Sequence, residues 1–150
     1  MRTLYLVCGA PFSGKTTLAK HIAERTHSHY ISLDDLMRAR GLDLSQSQPV
    51  EEWEKAHHQC IQLLHTLMKQ GINVVLDDTL FLKWLRDRYR NVALEHQYQV
   101  VTVYLAIPLA ELEKRNQQFT RRGENGVKEQ HMAYIPFSLT SEKKCSRISM

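Results

Sequence analysis

Residues 9–16, Gly9-Ala10-Pro11-Phe12-Ser13-Gly14-Lys15-Thr16, have the types and spacing needed to hold a polyphosphate: G-x-x-x-x-G-K-[ST]. Glycines let the backbone bend and bring its N–H groups up to phosphate oxygens. A helix that begins at the end of such a loop adds its unpaired N–H groups and the positive end of its dipole. Lys15 has the reach for the β- and γ-phosphates, and the Thr16 hydroxyl can ligate Mg²⁺. The plain alternative, a glycine turn before a helix, explains neither Lys15 nor Thr16. The string implies a nucleoside triphosphate site.

Three further groups could act on that phosphate. Asp77 closes an apolar run, the position of a Walker-B carboxylate that holds Mg²⁺ directly or through water. Asp78 competes with it, and strand alternation points the two side chains apart. Asp34 and Asp35 follow a second short apolar run. One of them, Asp34 first, could take the proton of an attacking hydroxyl; otherwise one of them caps the helical turn that follows. Arg115, Arg121 and Arg122 stand on and after a helix, before a segment hinged by Gly123 and Gly126. Arginines on a closing loop can complement the charge spread over the γ-phosphoryl oxygens; otherwise they form a solvated basic loop. Arg38, Arg40 and Arg86 are candidates for the acceptor side, or surface charges. The eight histidines form no metal signature. His57 and His58 are adjacent and are expected at the surface, while Trp53 and Trp84 fall on apolar stripes and are expected in the core.

The elements that must position these residues follow from hydrophobic periodicity. Strands are expected over 3–8, 29–33, 72–77 and 99–107, the last being the clearest. A helix follows the Gly-rich loop, with Leu18 and Ile22 at helical spacing. Trp53, Ala56, Cys60, Leu64 and Leu67 recur at i+3 and i+4, predicting a helix over 50–70, stopped by Gly71. Phe81, Trp84, Leu85, Arg88, Tyr89 and Val92 share another stripe, and Pro108 opens a helix from Leu109 to about Gln118. Residues 119–127 are expected to form a mobile basic loop, residues 128–135 a helix, and Ser138 to Met150 a flexible tail. Strands alternating with helices imply parallel pairing through right-handed crossovers. The expectation is an α/β domain over residues 1–137 with a small parallel sheet of four to five strands, no convincing strand after residue 127, and a tail over 138–150.

Composition bounds the rest. The chain has 150 residues, 43% apolar and 24% charged, with a formal charge of +4. That size fits one domain. A mild basic excess suits an enzyme handling polyphosphate and leaves room for nucleic acid without demanding it. Three scattered cysteines, Cys8, Cys60 and Cys145, fit free thiols in a reducing compartment rather than a disulfide frame or zinc site. No apolar run reaches membrane-spanning length, and Met1-Arg2-Thr3 leads into a strand rather than a signal peptide, so a cytoplasmic protein is expected.

These residues together resemble the small P-loop kinases of the AAA_33, zeta-toxin-like and polynucleotide-kinase-like group, from Met1 to about Tyr134. The resemblance rests on residues 9–16 with Thr17, on Leu33-Asp34-Asp35, on Val75-Leu76-Asp77-Asp78-Thr79, and on Glu113-Lys114-Arg115-Asn116 followed by Arg121-Arg122-Gly123. It implies a P-loop NTPase fold of three α/β/α layers with a short LID, ATP and Mg²⁺ as cofactors, and Asp34 as general base. It also implies a LID arginine, Arg122 or Arg121, on the phosphates and Arg115 near the adenine or phosphates. Val127-Lys128 stands where the group often has Val-Pro.

Two function classes follow. The first is an ATP-dependent phosphotransferase moving the γ-phosphate to a hydroxyl on a small molecule or a nucleic-acid 5′ end. Few aromatics stand among the basic residues, which favours a small acceptor. The second is an ATP-binding regulatory module without transfer activity. The absence of an Asn-Lys-x-Asp string argues against a guanine-specific switch.

Overall fold

The computed structural model describes residues 1–121 and 146–148. The chain runs Thr3–Gly9 (β1), Lys15–Thr26 (α1), His29–Ser32 (β2), Leu33–Ala39 (α2), Val50–Lys69 (α3), Val74–Asp77 (β3), Lys83–Glu95 (α4), Gln99–Leu105 (β4), Leu109–Arg121 (α5) and Ser146–Ile148 (β5). The sheet is parallel, in the order β2-β3-β1-β4-β5. β1 and β3 lie side by side near its middle, and their carboxyl ends open at one edge. Open α/β sheets keep ligands there.

Alternation sorts side chains to two faces. Val7, Val75, Val103 and Leu105 pack with Ala19 and Ala23 of α1. Leu4, Leu6, Ile31, Val74 and Leu76 face the other way, into the larger core under α2, α3 and α4. Asp77 continues the α1 face and Asp78 the α3–α4 face, so the two carboxylates part company as expected.

The expected elements are present, with four corrections. Three tail residues, expected to be flexible, supply β5, a fifth strand that pairs with Val103 to Leu105 of β4. Its partner bonds come from backbone, which a Ser- and Lys-rich sequence does not advertise. His57 is buried at 7% exposure, not at the surface, and shares a 2.5 Å hydrogen bond with the Tyr89 hydroxyl. Trp84 is 54% exposed rather than in the core, and Phe81 is 53% exposed. α4 starts at Lys83, so its buried stripe runs through Leu85, Tyr89, Val92 and Ala93 and leaves Trp84 on an outward edge. α5 continues to Arg121, through the start of the expected loop. The helix expected over 128–135 lies outside the described residues. Among the described residues no helix is long and apolar enough to cross a membrane.

Candidate active site

The Gly-rich loop turns between β1 and α1 through Phe12 (φ 62°) and Gly14 (φ 90°), both left-handed. The Ser13 N–H donates to Ala10 O at 3.2 Å, closing the turn, and the Leu18 N–H donates to Gly14 O at 3.1 Å, starting the helix. Lys15 Nζ donates to Ala10 O at 3.1 Å, folding the ammonium back over the loop. A Cβ on Gly9 would lie 2.8 Å from Ser13 Oγ, so only glycine lets the loop pack this closely on β1. Among the described residues Ser13 Oγ is buried without a protein partner. Gly9 and Asp78 also tie β1 to β3: the Gly9 N–H donates to Thr79 O, and the Asp78 N–H donates to Val7 O.

Thr16, the second residue of α1, donates its hydroxyl to Asp77 Oδ2 at 2.7 Å. The residues are 61 apart in sequence, and the contact forms because β3 neighbours β1 and Asp77 faces α1. Tyr30 of β2 donates its phenol to the same oxygen at 2.9 Å. Burial first, then the Asp77 charge, push that phenol above its ordinary value. A hydroxyl and a carboxylate held together are hard oxygen donors that suit Mg²⁺. Among the described residues no group of three His, Cys, Asp or Glu side chains could hold a metal alone.

Asp34 reaches solvent at the start of α2, yet protein crowds it from several sides. This desolvation raises its pKa, while Arg38 and Lys15 oppose the rise and Asp77 and Asp35 add to it. Neither Asp34 nor Asp35 caps α2. The cap is Ser32, whose Oγ accepts from the Asp35 N–H at 3.3 Å. Asp35 instead pairs with Arg38 at 3.0 Å in the open. Asp78 is buried and pushed up to about 7 by desolvation, against a bond from the Thr79 N–H, with Asp34 and Asp77 adding repulsion and Lys15 relieving it. Lys15, Asp34, Asp77 and Asp78 therefore feel one another across the carboxyl ends of three adjacent strands.

Arg115 of α5 donates from Nη1 to Phe12 O at 3.1 Å and from Nε to Glu111 Oε1 at 2.9 Å. It braces the left-handed residue of the loop from outside. Arg40 pairs with Glu52, and Arg86 donates to the Leu80 and Phe81 carbonyls. Arg121 ends α5, and Arg122 lies outside the described residues. Sequence reasoning missed Tyr30 and His57. His57 does carry a signal, because it continues the Trp53, Cys60, Leu64 spacing. Tyr30 carries one only through strand alternation with Ser32.

Residues 4–136 match the AAA_33 family, an AAA domain. The chain belongs to this family. Over 122 residues, 75% of its length, the AAA_33 chain is 30% identical to the L-seryl-tRNA(Sec) kinase of Methanococcus maripaludis, and it spans 44% of that relative. It is 25% identical to a chain of the Pnkp1/Rnl/Hen1 complex, with a TM-score of 0.65, covering 76% of this chain and 38% of that one. A gluconokinase from Sinorhizobium meliloti shares the fold over 99% of this chain and 82% of its own, at a TM-score of 0.71 and 17% identity. The fold is that of the small P-loop kinases.

Proposed function

We propose that the chain is an ATP-dependent kinase that moves the γ-phosphoryl group of ATP to a hydroxyl. One observation carries this reading best: Asp34 stands exposed two residues past Ser32, which pairs with Asp77, and Asp77 accepts from Thr16 of the phosphate loop. A module that only bound ATP would need the loop, but not an open carboxylate at Asp34.

In the proposed mechanism the loop N–H groups of residues 9–17 cradle the triphosphate. Lys15 swings from Ala10 O onto the β- and γ-phosphates. Thr16 and Asp77 would hold Mg²⁺, which would supply positive charge to neutralise the phosphate oxygens. Thr16 donates its hydroxyl hydrogen bond to Asp77, which leaves its oxygen lone pairs free. The acceptor hydroxyl sits against Asp34, whose carboxylate takes its proton as the oxygen attacks the γ-phosphorus and the bond to the β-phosphate oxygen breaks, releasing ADP. A carboxylate raised by desolvation is a better base than one in water. Arg115 keeps the loop shaped, and Arg121 or Arg122 complements the γ-phosphoryl charge. Excluding water protects the phosphate from hydrolysis.

A small hydroxyl acceptor fits the acceptor side better than a polynucleotide. Arg38 pairs with Asp35, Arg40 and Lys55 with Glu52, Lys83 with Asp87 and Arg88 with Glu54. Those bases are largely neutralised already. The seryl-tRNA kinase relative favours the second reading, an RNA acceptor. Labelled ATP offered to metabolites, nucleosides and oligonucleotides at rising salt separates the two. A small acceptor should be phosphorylated at nearly constant efficiency. An RNA acceptor should lose affinity by about 0.7 log units per phosphate contact per log unit of salt. Binding of ATP with no labelled product from any acceptor would leave only the regulatory module.

A further inference from the structure

We infer that Tyr30 is a positioning residue for the metal-holding carboxylate, setting the rotation of Asp77 so that Thr16 and Asp77 present their oxygens to one cation. The inference rests on the proposed role of Thr16 and Asp77 and extends it to a residue with no counterpart in the sequence motifs.

Two donors converge on one acceptor atom. Thr16 Oγ1 lies 2.7 Å from Asp77 Oδ2 and Tyr30 Oη lies 2.9 Å from it. One donor would leave the carboxylate free to swing about its hydrogen bond. Two donors, from different elements, fix its rotation. They also use up the lone pairs of Oδ2, leaving Oδ1 as the oxygen for a cation or a cation-bound water. Partners of this kind tune a metal site almost as strongly as the ligands do.

The backbone explains how Tyr30 reaches the spot. In the β2–β3 register Tyr30 lies opposite Val75 and Ser32 opposite Asp77, so all four side chains stand on the α1 face. Tyr30 is one alternation behind Asp77, and a phenol is long enough to cover that step. Lys20 Nζ of α1 stands over the ring, 5.6 Å from its centre. The ring is thus bracketed by α1 and its hydroxyl is aimed along β3. Two residues further on, Ser32 caps α2, which carries Asp34. Tyr30 therefore links the metal-holding carboxylate to the strand that leads into the helix carrying Asp34.

The plainer account is that a strand tyrosine has merely found a hydrogen-bond partner. Tyr30 is only partly buried. Water could satisfy such a hydroxyl, so burial alone does not oblige it to seek a carboxylate that already holds Thr16.

The test uses Mn²⁺ as the probe with a non-hydrolysable ATP analogue, on the full chain. Calorimetry measures nucleotide affinity in EDTA and across a Mn²⁺ titration, and electron paramagnetic resonance follows bound Mn²⁺. Tyr30→Phe removes one oxygen and keeps the ring against α1. It should weaken Mn²⁺ binding in the nucleotide complex about 10-fold or more, with metal-free nucleotide affinity unchanged. A Tyr30→Phe protein that melts at lower temperature but binds Mn²⁺ like wild type would overturn the inference and leave Tyr30 as packing. Wild-type nucleotide affinity that ignores Mn²⁺ would instead overturn the assignment of Thr16 and Asp77 and the inference with it.

Discussion

Adding one carbon at Gly9 should damage the phosphate loop in a way the structure makes calculable. The Cβ of Gly9→Ala would lie 2.8 Å from Ser13 Oγ and 3.3 Å from both the Cβ and the carbonyl oxygen of Leu105. Ser13 is fully buried and cannot swing into water, and the Leu105 carbonyl belongs to β4. Relief must come from lifting residues 10–14. Overpacking of this sort costs about 1–3 kcal/mol. The same displacement moves the N–H groups that would hold phosphate, and 1.4 kcal/mol is about a 10-fold change in affinity. We expect Gly9→Ala to unfold at lower urea and to bind ATP at least 10-fold more weakly by calorimetry. Among the described residues Ser13 Oγ has no protein partner, so Ser13→Ala alone should be mild in the nucleotide-free protein. Combined with Gly9→Ala it removes the colliding atom and should restore most of the lost stability. Such non-additivity marks contact between the two sites. A Gly9→Ala protein with wild-type stability and affinity would show that no such collision exists, as would simple addition of the two losses.

Two further predictions follow from side chains outside the motif. Burial, with Arg88 adding to it, holds His57 at about 4 instead of 6.5. The unfolded chain takes up the proton first as pH falls, so this contribution is intact above about 6.5 and lost as pH drops through 4. It amounts to about 3 kcal/mol at most. His57→Gln, which cannot titrate, should flatten the acid limb of a stability–pH curve, and parallel curves would exclude His57 as its source. Arg115→Ala should weaken ATP binding by roughly 10-fold through loss of the charged bond to Phe12 O, with little change in melting temperature. Arg115→Lys should recover little, because a point charge does not reproduce the two-pronged contact to Phe12 and Glu111.

The loop and its strand–helix setting were legible because they are local. Glycine, lysine and threonine at fixed spacing act through the backbone they sit on. Asp77 and Asp34 were legible because apolar strands end just before them. Which of Asp77 and Asp78 meets Thr16 needed the sheet: alternation separates the two side chains but does not say which faces α1. Tyr30 stayed hidden for the same reason, since its partner lies 47 residues away on a neighbouring strand. Trp84 was misplaced because a stripe gives a helix's inward face without saying where the helix begins. His57 was misplaced by its neighbour His58, although the i+3 and i+4 spacing of α3 put His57 alone on the buried side. β5 escaped because an edge strand of three residues draws its stability from the backbone of β4.

Phosphoryl transfer through Asp34 can be tested most directly on one pair of proteins, wild type and Asp34→Asn, with Lys15→Ala as the control that loses transfer by losing its phosphate contact. For each, ATP affinity is measured by calorimetry and label transfer to the acceptor found in the panel is measured in a single turnover. Asp34→Asn should bind ATP like wild type and transfer the label about 10²- to 10⁴-fold more slowly. Wild-type transfer by Asp34→Asn with that acceptor would contradict transfer through Asp34.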